Sequence, residues 1–330
     1  MHRRIIYWKP VRRGRAFFLL LGLVISIAAA CGHRRDKDKG FAVPPAIPQV
    51  PCIAYDFQID SLPYDRLPNT GYPLSGVRDT SYPRDADGVS LFPLNGRFYY
   101  HPVDICHKAY AFLDAYHKTG DRHWLEMARL SMDRLIKESV LFDSAVYFPY
   151  RFDYKVNQKD EGLLRAPWFS GMAQGEALGV LSRLFLATDD SSYLTYARKT
   201  FNSLTRLASR AEPWAAFIDS RGCFWIEEYP LRPPSMTLNG FIYGLYGVYD
   251  YYELTKDPLA ENMLKDSFST IKNYIPIFRR PGQPSFYGLR LGHYSLEYHR
   301  AHIQQLQMLG RITGDSYFKD WADSLKKDAR

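Results

Sequence analysis

The chain has 330 residues, 46% of them hydrophobic and 15% aromatic, which is enough apolar material for a sizeable core and excludes a disordered protein. A formal charge of +8 suits an acidic partner such as a polyanionic glycan, a nucleic acid or a membrane surface, but Arg3, Arg4, Lys9, Arg12, Arg13 and Arg15 hold much of it at the extreme N-terminus. The 25 Tyr, 20 Phe and 6 Trp favour surfaces where rings pack and also offer a polar edge, as carbohydrate clefts do, while the aromatic-basic motifs of nucleic-acid readers are absent.

The basic N-terminus runs into the apolar stretch AFFLLLGLVISIAAA, residues 16–30, followed by Cys31. A charged n-region, an apolar h-region and small residues before a cysteine are the pattern of a secretory signal, and AAAC resembles a bacterial lipobox. Residues 1–31 therefore read as a signal peptide with Cys31 as the lipidated residue, on a chain exported and tethered to a membrane. Residues 32–95 read as a solvated spacer, GHRRDKDKG, and then an extended arm rich in Pro, Asp, Tyr and Gly. Cys52, Cys106 and Cys223 remain; an oxidising compartment permits one disulfide, and the spacing leaves the pairing open. No Cys/His spacing suggests zinc.

From residue 96 to 330 the pattern is helical and repeats. Four stretches share an apolar helix, a Thr-x-Asp turn and a second helix; the turn threonines are Thr119, Thr188, Thr255 and Thr313, spaced 69, 67 and 58 residues apart. Each turn aspartate, Asp121, Asp190, Asp257 and Asp315, is placed to cap the second helix. Helical hairpins at this period predict an all-α fold, an α/α toroid or an open form of one, with the extended arm over it. The first helix of each hairpin is the more apolar and is predicted to be the inner one. Near its start lie YYHPVD, PWFSGMAQGEA, PSMTLNGFIYG and LEYHRAHIQQLQ, so aromatic and polar residues are expected to gather at one end of the toroid. Helix N-termini converging there would favour an anionic ligand.

These segments carry a resemblance. WIEEYP, PSMTLNGFIYGLYGVYDYYELT, FYGLR and EYHRAHIQQLQML, with the upstream PWFSGMAQGEAL, resemble the C-terminal catalytic domain of the D-glucuronyl C5-epimerases, in order from about Tyr100 to Leu325. The resemblance implies epimerisation of D-glucuronate to L-iduronate within a heparosan-like acidic polysaccharide, with no nicotinamide or other cofactor. It also implies Glu228 and Tyr298 as the acid/base pair flanking C5, and Tyr229, Tyr287 and Arg290 around the uronate carboxylate. The chain has no room for the β-rich domains that precede the helical domain in animal enzymes, which leaves homodimer formation open.

The chemistry fits those residue types. A C5–H beside a carboxylate is a very weak acid, so an acid/base is needed on each ring face, with neutralisation of the carboxylate as charge builds on it. Arg290 suits a bidentate carboxylate contact. A tyrosine base needs its pKa lowered, which an arginine and helix N-termini can do, whereas Glu228 suits a site that raises its pKa, with Glu227 beside it. Trp168, Gln174 and Glu176 are further cleft candidates, Asn239 is a helix-opening polar contact, and Met172 reads as core. Arg165 and His101 are candidates for neighbouring acidic sugars. His299 and His302, at i and i+3, lack a third metal ligand and read as hydrogen-bonding or glycan-contacting residues. Two rivals share these residues: a polysaccharide lyase, which starts with the same proton abstraction, and a noncatalytic glycan-binding lipoprotein.

Overall fold

A computed structural model describes residues 39–77, 83–156, 162–210 and 212–329, so the signal-like segment and Cys31 lie outside the described residues. After a short turn of helix, α1 (Leu74–Val77), the chain forms four helical hairpins: α2 (Pro102–Thr119) with α3 (Arg122–Glu138), α4 (Gly171–Thr188) with α5 (Ser191–Leu204), α6 (Leu238–Thr255) with α7 (Pro258–Phe278), and α8 (Leu296–Thr313) with α9 (Ser316–Asp328). This is an α/α toroid whose inner helices α2, α4, α6 and α8 pack side by side in chain order.

Each hairpin turns by the same local chemistry. The threonine Oγ1 donates to the carbonyl four residues back at 2.7–2.8 Å and accepts the aspartate N–H at 3.2–3.3 Å. The aspartate then accepts the N–H two residues on at 2.9–3.0 Å, capping the outer helix. The residue between them, Gly120, Asp189, Lys256 or Gly314, is left-handed, with φ from 52° to 71°. Threonine thus latches both sides of a turn for which the sequence pattern showed only the aspartate cap.

Burial separates the two layers. Outer helix α3 buries a stripe of Trp124, Ala128, Ser131, Met132 and Leu135, whereas inner helix α4 is buried continuously from Gly171 to Leu184. Inner helices α4 and α6 approach so closely that a Cβ on Gly247 would sit 1.6 Å from the Gly175 carbonyl oxygen.

Among the described residues, ten short strands form two-stranded antiparallel pairs between the helices. They are β2 (Phe92–Leu94) with β3 (Arg97–Tyr99), β4 (Val140–Phe142) with β5 (Ala145–Tyr147), β6 (Tyr154–Lys155) with β7 (Leu163–Leu164), β8 (Ala216–Ile218) with β9 (Phe224–Ile226), and β1 (Lys39–Phe41) with β10 (His293–Ser295). β1 begins the arm beside the start of α8. The arm then crosses the body: Asp60 N–H reaches the Ile312 carbonyl at 2.7 Å, Tyr249 OH bonds the Asp60 carbonyl at 2.8 Å, and Arg183 donates to the Pro68 carbonyl at 2.6 Å. These contacts lie towards the C-terminal ends of α8, α6 and α4, so the stretch around residues 60–68 covers the end of the toroid away from the inner-helix N-termini, whereas Phe92 near the arm's end returns to line the cleft at those N-termini.

Cys52 in the arm is disulfide-bonded to Cys223 beside β9, 171 residues away, and Cys106 is free and buried on α2. Replacing both bonded cysteines by serine is expected to cost about 2–5 kcal/mol, because the bridge removes the loop-closure entropy of a long unfolded segment. Urea unfolding against the parent chain measures this; an unchanged midpoint would mean that the arm's hydrogen bonds alone hold it.

Candidate active site

The starts of all four inner helices open into one cleft, lined by Val103, Met172, Asn239 and Tyr298 from the first turns of α2, α4, α6 and α8, and by rings of the intervening hairpins. Tyr150 stacks on Trp168 with centroids 3.9 Å apart, and Trp168 Nε1 donates to the Phe152 carbonyl at 3.0 Å. Trp168 is thereby a fixed wall of the cleft. Met172 is both buried core and cleft lining.

Glu227 and Glu228 directly follow β9, where the chain bends at Glu228 and Tyr229, and their carboxylates meet different partners. Glu227 turns into the body, where it accepts Ser235 Oγ at 2.5 Å, Met236 N at 3.0 Å and Tyr229 N at 3.2 Å. It pins the proline-broken loop that leads into α6. Glu228 faces the cleft. Tyr287 OH donates to its carboxylate at 3.0 Å from each oxygen, and Tyr229 OH lies 3.1 Å from Tyr287 OH. The carboxylate rests on the first turn of α6, where a Cβ on Gly240 would come within 2.2 Å of Oε2. Glycine at that position is what admits it. Tyr298 completes the group, its ring centred 4.2 Å from that of Tyr287.

Burial dominates the electrostatics here. It pushes Glu228 up to about 8, against the lowering effect of hydrogen bonds from Tyr229 and Tyr287, with Glu227 and Glu176 adding repulsion. Burial also pushes Glu227 up to about 7 despite its hydrogen bonds. Tyr298, Tyr287 and Tyr229 are all raised above the ordinary phenol value, first by burial and then by the charge of Glu228. The expected lowering of a tyrosine pKa is therefore reversed: these phenols keep their protons and act as donors.

Four sequence-level candidates lie elsewhere. Arg290 lies in a turn held by Leu289 N–H to the Met236 carbonyl at 3.2 Å and Arg290 N–H to the Ser235 carbonyl at 3.3 Å. That turn aims its guanidinium at the Pro233 carbonyl, in a separate groove shared with Pro44 and Trp214. Gln174 is buried behind the cleft, accepting Phe148 N at 2.9 Å and donating to the Val146 carbonyl and Ser203 Oγ at 2.7 Å, so it fastens β5 to α4 and α5. His299 and His302 face Ser285 rather than the cleft: Ser285 N–H donates to His299 Nδ1 at 2.9 Å, and His302 Nδ1 lies 2.8 Å from Ser285 Oγ. Burial lowers both, His302 to about 3, which keeps them neutral structural links.

Other candidates meet the cleft or its rim. Asn239 lines it, buried, with Oδ1 lacking a hydrogen-bond partner. His101 lines it too, but its Nδ1 accepts the Asp104 N–H at 3.2 Å as the cap of α2, and burial lowers its pKa. Arg165 sits in an adjoining groove, paired with Asp153 at 2.6 Å. Glu176 does not line the cleft: it is fully buried behind it, with Oε1 2.7 Å from Nε2 of the cleft-lining His107. Sequence reasoning passed over His107, Tyr150 and Tyr243, all cleft-lining. The signal available for His107 was its place one turn inside the first inner helix.

Known proteins share both the sequence pattern and the fold. The sequence profile described as "D-glucuronyl C5-epimerase C-terminus" matches residues 143–327. A D-glucuronyl C5-epimerase of Caenorhabditis elegans is 30% identical over 177 residues, covering 47% of this chain and 28% of that enzyme. An uncharacterised protein of Methanocaldococcus jannaschii is 27% identical over 185 residues, covering 54% of this chain and 58% of its own length. This chain thus spans well under two thirds of either relative. In three dimensions a cellobiose 2-epimerase from Bacillus thermoamylovorans superposes with a TM-score of 0.50 at 13% identity, over 77% of this chain and 67% of that one, a likeness of fold alone. With a profile match over more than half its length, the chain belongs to the D-glucuronyl C5-epimerase family, in the part that forms the family's C-terminus.

Proposed function

We propose that this protein epimerises D-glucuronate to L-iduronate at C5 within a heparosan-like acidic polysaccharide. The observation that carries the reading is a buried glutamate, Glu228, and a phenol, Tyr298, lining one cleft, with Tyr287 donating to Glu228 and its ring packed against that of Tyr298. Glu228, when ionised, takes the C5 proton as the C–H electron pair moves into the uronate carboxylate. Tyr298 returns a proton to C5 from the other face as that pair moves back. One proton then passes from Glu228 to the Tyr298 phenolate, through Tyr287 or solvent, restoring the starting state. No redox partner is required.

Export and a membrane tether through Cys31 belong to the same reading. The Cys52–Cys223 disulfide supports an oxidising compartment. Among the described residues no helix is long and apolar enough to cross a membrane.

The test is incubation with heparosan in D2O, following C5 deuterium and iduronate by NMR and unsaturated uronate by ultraviolet absorbance. Deuterium and iduronate without new absorbance are expected. Absorbance with chain shortening would make the protein a lyase, and no change on any uronate polymer would favour a binding protein. Tyr298→Phe is expected to keep exchange with retained configuration while losing iduronate formation by about 10²–10⁴-fold. Equal loss of exchange and inversion would overturn the assignment of the two residues to opposite faces.

A further inference from the structure

We propose that His107 is the counter-ion that recognises the substrate's uronate carboxylate, with Glu176 as the residue that orients it; this rests on the epimerase reading above. The cleft needs a cation. Charge builds on the uronate carboxylate as C5 loses its proton, and Arg290, the sequence-level candidate for that task, points into another groove. Among the described residues lining the cleft there is no Lys or Arg, and the basic side chains are His101 and His107. His101 uses Nδ1 as a hydrogen-bond acceptor at the start of α2, so it serves as a neutral cap. That leaves His107.

Its surroundings suit the role. His107 Nε2 meets Glu176 Oε1 at 2.7 Å, with the His107 side chain 26% exposed and that of Glu176 fully buried. The other carboxylate oxygen, Oε2, is buried without a hydrogen-bond partner, and among the described residues no hydrogen bond is made by His107 Nδ1. A buried glutamate with one oxygen committed to an imidazole orients the ring and supports its second proton, leaving Nδ1–H for an anion. The groups facing the ring are Glu176 on α4, Asp104 and His101 at the start of α2, and Tyr243 on α6, whose ring lies 5.9 Å away edge-on. Burial is the largest single influence and lowers the His107 pKa, but the charge and hydrogen bond of Glu176 together with the charge of Asp104 outweigh it, and the net shift is upward. Burial also raises Glu176, so the dyad holds its proton strongly. A substrate carboxylate at Nδ1 would favour the doubly protonated ring further.

The experiment compares binding of a glucuronate-containing oligosaccharide with binding of the same oligosaccharide after its carboxylates are reduced to primary alcohols. The unmodified protein is expected to prefer the carboxylated ligand. His107→Gln is expected to weaken that ligand about 10-fold and leave the reduced one within about twofold, with kcat falling more than binding because charge grows towards the transition state. Equal effects on both ligands, or none, would overturn the assignment. Should His107→Gln not fold, the 15N resonances of the His107 ring in the unmodified protein decide: a ring doubly protonated and shifted on adding the carboxylated ligand supports it, and an unresponsive ring sinks it. The two readings fail separately. Carboxylate preference lost in His107→Gln without C5 exchange in the unmodified protein would remove the epimerase and keep the anion site, whereas exchange with undiminished preference in the variant would do the reverse.

Discussion

Glu228→Gln is expected to reduce C5 hydrogen exchange about 10²–10⁴-fold and at the same time to raise the stability measured at about pH 8. Glutamine keeps the shape of the side chain and can still meet Tyr287, but it cannot accept the C5 proton. The stability effect follows from linkage. A carboxyl held near 8 in the folded protein and near 4.5 in the unfolded chain binds more protons when folded, so its contribution is fully present below about 4.5 and is lost as pH rises through about 8. Glutamine carries no such dependence. The variant should therefore gain on the parent progressively between pH 4.5 and 8, to a few kcal/mol on the order given by the shift. Thermal melts of both proteins across that range, beside exchange assays, provide the check. A parallel pH dependence of the two melts would show that Glu228 does not titrate where burial places it. The same shift predicts that kcat/KM of the parent rises with pH towards 8, since the ionised form is the base.

Gly247→Ala is expected to destabilise the protein by about 1–3 kcal/mol or more, although alanine is the better helix former. The new methyl would lie 1.6 Å from the Gly175 carbonyl oxygen and 2.5 Å from its carbon, both backbone atoms of α4. They can retreat only if α4 moves away from α6, and the cleft walls at Met172 and Asn239 would move with those helices. Gly310→Ala on α8 is the control, because its Cβ would meet nothing nearer than 3.6 Å and should be neutral or stabilising by up to about 1 kcal/mol. Urea midpoints of the two variants separate packing from propensity. Similar midpoints for both would mean that the close approach of α4 and α6 is not maintained in solution.

The features legible in the string of residues are local or periodic. The Thr-x-Asp turns are legible because every bond in them joins residues within four positions, such as Thr119 to Ala115 and Asp121 to His123. Their repetition then gave the hairpin count and the toroid. The family motifs brought Glu228, Tyr229, Tyr287 and Tyr298 forward together. Which way a side chain faces, and what surrounds it, depends on packing between distant elements. Glu227 and Glu228 are adjacent letters, yet one holds a loop and the other meets the cleft. Gln174, His299 and His302 look like site residues in a string and are internal fasteners in space. Cys52 found Cys223 across 171 residues, a choice that spacing left open. The tyrosines changed role for the same reason: the cost of burying a phenolate depends on the rings and carboxylate packed around it, and those come from distant elements of the chain.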